Sequence, residues 1–142
     1  MNCEENSMVK MKIVYEGQLR CVLTHEPSGT VINTDAPKDN KGKGEAFSPT
    51  DLVASALGSC MLTIMGIVAG QHQIDLKGTT VDVSKEMITS PVRRIGSISV
   101  IFHMAPGIPF EKRAILETAA RSCPVSKSLH PDVQTPVQFI YP

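Results

Sequence analysis

The chain has 142 residues, and 14 Lys and Arg balance 14 Asp and Glu to a formal net charge of zero. That balance excludes a non-specific nucleic-acid binder, which needs surplus cations, and an acidic solvating tail. An apolar share of 42% with 20% charged residues predicts one globular domain, residues 1–142, and the lack of Trp leaves few rings to stack single-stranded bases.

In chain order, Val9, Met11, Ile13 and Tyr15 alternate with Lys10, Lys12 and Val14, which predicts a strand over 9–15. Glu16-Gly17-Gln18 is a turn. Leu19, Cys21 and Leu23 then alternate with Arg20, Val22 and Thr24 as a second strand, with Cys21 on its apolar, core-facing side. Glu26-Pro27-Ser28-Gly29 is the next turn and Thr30–Asn33 a third strand, giving an antiparallel meander. Residues 36–47 form a polar, glycine-containing loop of a length that is often functional.

Ser48-Pro49-Thr50-Asp51 reads as a helix start: Ser48 as N-cap, Pro49 at the first position, Asp51 reaching back to the cap at the positive end of the dipole. No Asp, Glu, Lys or Arg occurs in the 23 residues between Asp51 and Asp75. A membrane span needs about 20 apolar residues. Ser55, Gly58, Ser59, Thr63, Gly66 and Gly70 interrupt this segment, however, and no Trp or Tyr anchors its ends, so a buried core helix over Leu52–Gly70 is expected. Ser55, Ser59 and Thr63 make one small-residue row, and Val53, Ala56, Leu57, Cys60, Ile64 and Ile67 an apolar stripe. A helix apolar on two faces in so short a chain is covered most easily by a second subunit. The N-terminal residues lack an apolar leader, which predicts a cytoplasmic protein with no membrane contact.

Beyond the helix, Thr79–Ser84 and Ile98–Met104 alternate as strands. Phe110–Ser122 reads as a helix with Leu116, Ala119, Ala120 and Cys123 on one face, Pro124–Leu129 as a short second helix, and Pro136–Tyr141 as a closing strand. The order βββ-α-ββ-α-β is that of an α+β chain with a mainly antiparallel sheet.

The four cysteines are Cys3, Cys21, Cys60 and Cys123; no CxxC pair exists and His25, His72, His103 and His130 have no metal-ligand spacing, so neither metal nor cofactor is expected. Cys60 and Cys123 lie on apolar helix faces, where a thiol is either an inert core group or, given a nearby cation, a reactive one in a water-poor pocket.

EAFSPTDLVASALGSC, ending at Cys60, together with SCPVSKSL around Cys123, resembles the OsmC/Ohr family of osmotically inducible and organic hydroperoxide resistance proteins. The resemblance covers nearly the whole chain. It implies an intertwined homodimer with central helices packed between sheets, and thiol-dependent reduction of organic hydroperoxides at the subunit interface. Carried over by position, Cys60 is the peroxidatic cysteine, Cys123 the resolving cysteine that closes a Cys60–Cys123 disulfide, and Arg20 the arginine that stabilises the thiolate. A dithiol reductant such as a lipoylated protein then restores both thiols. The family's arginine is oriented by a Glu directly after the helix-start Pro. This chain has Thr50 there, with Asp51 adjacent and Glu45 in the preceding loop as alternative partners for Arg20. That departure motivates a second reading, a non-catalytic dimer binding a hydrophobic small molecule at the interface. Cys123-Pro-Val-Ser126 also matches a monothiol glutaredoxin CPxS, but its place late in the chain is wrong for that fold.

Overall fold

In the computed structural model, which describes residues 8–142, the chain forms two compact units, one ending at Thr50 and the other spanning Asp51–Pro142. Cys3 lies outside the described residues.

The first unit is a three-stranded antiparallel sheet of β1 (Met11–Gly17), β2 (Arg20–His25) and β3 (Val31–Asp35), in that spatial order. Gly17, Gln18 and Leu19 all have positive φ, at 85, 55 and 64°. Leu19 is therefore a turn residue rather than the strand residue expected, and β2 begins at Arg20. Left-handed backbone on two non-glycine residues is uncommon, and here it supplies the tight reversal of the hairpin. The β2–β3 register pairs Arg20 with Asp35 and Cys21 with Thr34. Cys21 is half-buried rather than a core residue. The apolar side of β1 is open as well: Met11, Ile13 and Tyr15 are each more than 60% exposed.

The loop after β3 folds on itself. Asn40 and Gly42 donate to Pro37 O at 3.0 and 2.9 Å, and Gly44 donates to Ala36 O at 3.2 Å. A Cβ on Gly42 would lie 1.7 Å from Ala36 O, so no side chain fits there.

The second unit is built on α1 (Pro49–Gln71), whose start coincides with the expected one. Ser48 is buried with its hydroxyl 3.2 Å from Thr50 Oγ1. The α1 stripe that faces the core is Ala54, Leu57, Gly58, Met61, Met65 and Ala69. This corrects the expected stripe: Val53, Ala56 and Ile67 are exposed, and Cys60 and Ile64 lie at the margin. The helix rotates to use its small residues. A Cβ on Gly58 would sit 2.7 Å from Val83 Cγ2, so glycine lets α1 lie close against the following strand. α1 is long and apolar enough to cross a bilayer by length and composition, yet Leu57, Met61 and Met65 are at most 2% exposed because protein covers them.

The covering elements are β4 (Thr80–Ile88), β5 (Arg94–His103), α2 (Phe110–Arg121), α3 (Pro124–Ser128) and β6 (Val137–Ile140). β4 and β5 pair antiparallel, and β6 joins β5 in parallel after the α2–α3 crossover. The strands thus form two separate three-stranded sheets, the second one mixed. Ile98, Val100 and Phe102 alternate inward from β5 at 0% exposure, and α2 adds Leu116 and Ala120. Phe102 stacks on Phe139 with ring centroids 4.9 Å apart. Tyr141 fastens the chain end to α2: its hydroxyl donates to Glu117 Oε2 at 3.0 Å, and the Arg113 guanidinium lies 4.0 Å from its ring centre. Burial, then the Glu117 carboxylate, pushes the phenol up to about 12, so it remains a donor across the physiological range.

Two substitutions test this packing by denaturant unfolding. Phe102→Ala is expected to cost about 3–5 kcal/mol through loss of burial and a residual cavity. Gly58→Leu is expected to cost at least about 1–3 kcal/mol, because the added atoms have no room beside Val83; an unchanged midpoint would contradict the close α1–β4 approach.

Candidate functional site

α1 carries Cys60 one residue before the buried Met61, at the edge of the core stripe, where its thiol is half-buried. Cys123 follows α2 and precedes Pro124, which cannot continue a helix from behind but suits the first turn of a new one. Cys123 is accordingly the N-cap of α3: its Sγ accepts the Ser126 N–H at 3.2 Å. It is fully buried.

The Cys60 side chain is close enough to Cys123 to hydrogen-bond with it. The Cys123 thiol is pushed above its ordinary value of 9.0, first by burial and then by hydrogen bonding and charge interaction with Cys60. The Ser126 and Val125 N–H groups act in the opposite direction, as donors to a thiolate. Burial prevails, so Cys123 is held as a neutral thiol next to a more accessible partner. Such a pair can be joined by a two-electron oxidation and reopened by thiol exchange. A narrow cleft of about 120 Å³, lined by Leu57, Met61, Arg121, Ser126, Thr135 and Val137, lies in the same unit. Its walls mix apolar Leu57, Met61 and Val137 with polar Arg121, Ser126 and Thr135, and the Arg121 guanidinium lies over the Phe139 ring at 5.2 Å.

In the first unit, Arg20 is held by carboxylates. Its Nη2 contacts Glu45 Oε2 directly and lies 3.7 Å from Asp35 Oδ2. Glu45 is thus the carboxylate nearest to Arg20 of the three side chains offered by the sequence. Asp51 is held elsewhere, with Lys85 Nζ of β4 at 2.8 Å from its Oδ1. Thr50 shares its hydroxyl contact with Ser48. Asp35 is a further partner, not among those three, and occupies the position opposite Arg20 once the hairpin is paired about its Glu26–Gly29 turn. Asp35 is 1% exposed, and its Oδ2 accepts the Glu45 N–H at 3.0 Å while its own N–H donates to Phe47 O at 3.0 Å. Beside this network is a cleft of about 240 Å³ lined by Glu16, Arg20, Asn33, Thr34, Glu45 and Ala46. Among the described residues no group of three or more His, Cys, Asp or Glu is arranged to hold a metal ion.

No curated protein sequence matches the chain. Solved structures do. A Psychrobacter arcticus protein, provisionally named for osmotic stress induction and a detoxification response, is 43% identical with a TM-score of 0.88, the match covering 97% of this chain and 100% of that one. An organic hydroperoxide resistance protein OsmC from Legionella pneumophila is 16% identical with a TM-score of 0.76, covering 96% and 98%. One from Elizabethkingia anophelis is 15% identical with a TM-score of 0.76, covering 99% and 100%. These last two share the fold, while residues 42–137, including both Cys60 and Cys123, match the model of the OsmC-like proteins; the chain belongs to that family.

Proposed function

We propose that the chain is a thiol-dependent peroxidase acting on organic hydroperoxides. The observation that carries this reading is the meeting of the half-buried Cys60 thiol with the buried, neutral Cys123 thiol. The names of the fold relatives, which include organic hydroperoxide resistance proteins, supply the substrate class.

Cys60 is the attacking group because it is the more accessible of the two. Its thiolate attacks the outer oxygen of ROOH, the O–O bond breaks, and the alkoxide leaves as ROH after taking a proton. Cys60 is then a sulfenic acid. Cys123 attacks that sulfur, the S–S bond forms, and the sulfenic oxygen leaves with the Cys123 proton as water. Two electrons have passed from the cysteine pair to the peroxide. A dithiol reductant returns them by exchange and leaves as its own disulfide. Arg20 is the cation assigned to the Cys60 thiolate, because a thiolate in apolar surroundings needs one. No cofactor is required.

The protein acts as a homodimer in this reading. Its support is apolar surface that a single chain leaves in water: Met11, Ile13 and Tyr15 of β1 and Val53 and Ile67 of α1. Light scattering is expected to give about twice the chain mass of 15.4 kDa; a monodisperse monomer at micromolar concentration rejects the dimer.

The central test is consumption of cumene hydroperoxide with dithiothreitol or dihydrolipoamide as donor. Cys60→Ser should fall to the enzyme-free background. Cys123→Ser should lose the internal disulfide that mass spectrometry detects after peroxide treatment of the wild type. Equal slow consumption by wild type and Cys60→Ser would refute the reading and favour simple ligand binding.

The thiol form of Cys123 has its own pH signature. Its folded value exceeds the ordinary one, so the unfolded chain loses this proton first as pH rises. The stability gained by burying the neutral thiol is fully present below the unfolded-state value and declines as pH climbs above it. The Cβ chemical shift of Cys123, followed by NMR in the folded protein, should therefore titrate with a midpoint above 9.0. A midpoint at or below that value would overturn the assignment of Cys123 as the neutral partner.

A further inference from the structure

We infer that Asp35 is the positioning residue for Arg20, with Glu45 as its outer, weaker partner; the inference rests on the peroxidase reading above.

The sheet itself makes the pair. Arg20 opens β2 and Asp35 closes β3, and the two stand directly opposite in the register. Opposed residues on neighbouring strands project to the same face with Cβ atoms about 5 Å apart, within reach of a long side chain. The two carboxylates around Arg20 differ sharply in environment. Glu45 is 57% exposed, whereas Asp35 is 1% exposed. An exposed ion pair shares its charge with water and holds its partners weakly. A buried carboxylate cannot do so, and leaving it without a cation is far more costly than breaking a surface pair.

The hydrogen bonding of Asp35 is also incomplete. Oδ2 accepts the Glu45 N–H, while the buried Oδ1 has no hydrogen-bond partner among the described residues. A guanidinium can present two parallel N–H groups to one carboxylate. Nη2 lies 3.7 Å from Oδ2, an ion-pair rather than a hydrogen-bond distance, and the open Oδ1 is the acceptor left for a second N–H of the same guanidinium. Asp35 also fixes Glu45 by accepting its N–H, so the outer carboxylate is placed by the inner one. In this way the charge that the family motif puts at the position of Thr50 is supplied from the end of β3.

The test compares wild type, Arg20→Ala, Asp35→Asn, Glu45→Gln and the Arg20→Ala/Asp35→Asn double variant in the peroxide assay and in thermal unfolding. Asp35→Asn keeps the side-chain shape and removes the charge. It should lower kcat/KM roughly tenfold to a hundredfold through misplacement of Arg20. Glu45→Gln should lose no more than about fivefold. Adding Asp35→Asn to Arg20→Ala should cost nothing further, since the effect runs through the arginine. A full additional loss in the Arg20→Ala background overturns the inference, as does a loss from Glu45→Gln equal to that from Arg20→Ala. The latter comparison needs no change at Asp35 and stands even where Asp35→Asn fails to fold. In thermal unfolding, which needs no substrate, the double variant should lose less Tm than the two single losses added. Additive losses reject the pairing. A wild type that turns over no hydroperoxide sinks the peroxidase reading instead, and the Tm comparison still decides whether Asp35 holds Arg20.

Discussion

Leu57, Met61 and Met65 of α1 are shut from water against Ile98, Val100 and Phe102 of β5 and Leu116 of α2. Each such side chain contributes about 1.5–3 kcal/mol when fully buried, so together they fix the helix in one rotation about its axis. Successive α-helical residues are about 100° apart. Cys60, one residue before Met61, is thereby held at the margin of the core, neither sealed in nor free in solvent. The same core contains Cys123, delivered by the end of α2. The meeting of the two thiols is a consequence of hydrophobic packing and needs no specific bond between the elements that bring them there.

That packing also surrounds the Cys123 thiol with groups that do not favour its charged form. The influences on Cys123 are burial, two backbone N–H groups and Cys60, and none of these is a cation. Three cations of the second unit have partners of their own: Lys85 on Asp51, Arg113 over Tyr141 and Arg121 over Phe139. An uncharged helix suits an apolar substrate, but it does nothing to ionise a thiol. In the first unit, Arg20 is an arginine that its sheet holds between two acids.

The sequence made the element order and the second-unit core legible because strong periodicity survives in both: β5 alternates cleanly, and α2 places Leu116, Ala119 and Ala120 in the core just before the buried Cys123. Other features were hidden for identifiable reasons. The core stripe of α1 includes Ala54, Gly58 and Ala69, which a search for large apolar residues passes over, although small residues are what allow close approach. β4 continues to Ile88 through Lys85 and Glu86; Lys85 is itself half-buried and holds the inward position of the strand period, while Glu86 is exposed. The parallel placement of β6 depends on the crossover and leaves no local signature. Asp35 was within reach: the turn Glu26–Gly29 is centred midway between residues 20 and 35, so pairing the hairpin outward from it sets Arg20 opposite Asp35. The strand runs two residues past the expected end at Asn33, and those two residues carry the acid to the arginine.

Those two residues change the electrostatic reading of the first unit. At a helix start, a carboxylate already interacts with the dipole and with nearby cations, as Asp51 does with Lys85. At the end of β3 the carboxylate is instead buried, bonded to the backbone of the loop it introduces, and opposed by one arginine. The loop is compact because Gly42 packs directly on Ala36 and because the Asp35 N–H and carboxylate tie down Phe47 and Glu45. Much of the conformational entropy of placing Glu45 is therefore lost on folding rather than when the arginine acts. A neutral Thr50 is compatible with an oriented arginine under that arrangement, since the orienting charge is built into the sheet register instead of the helix cap.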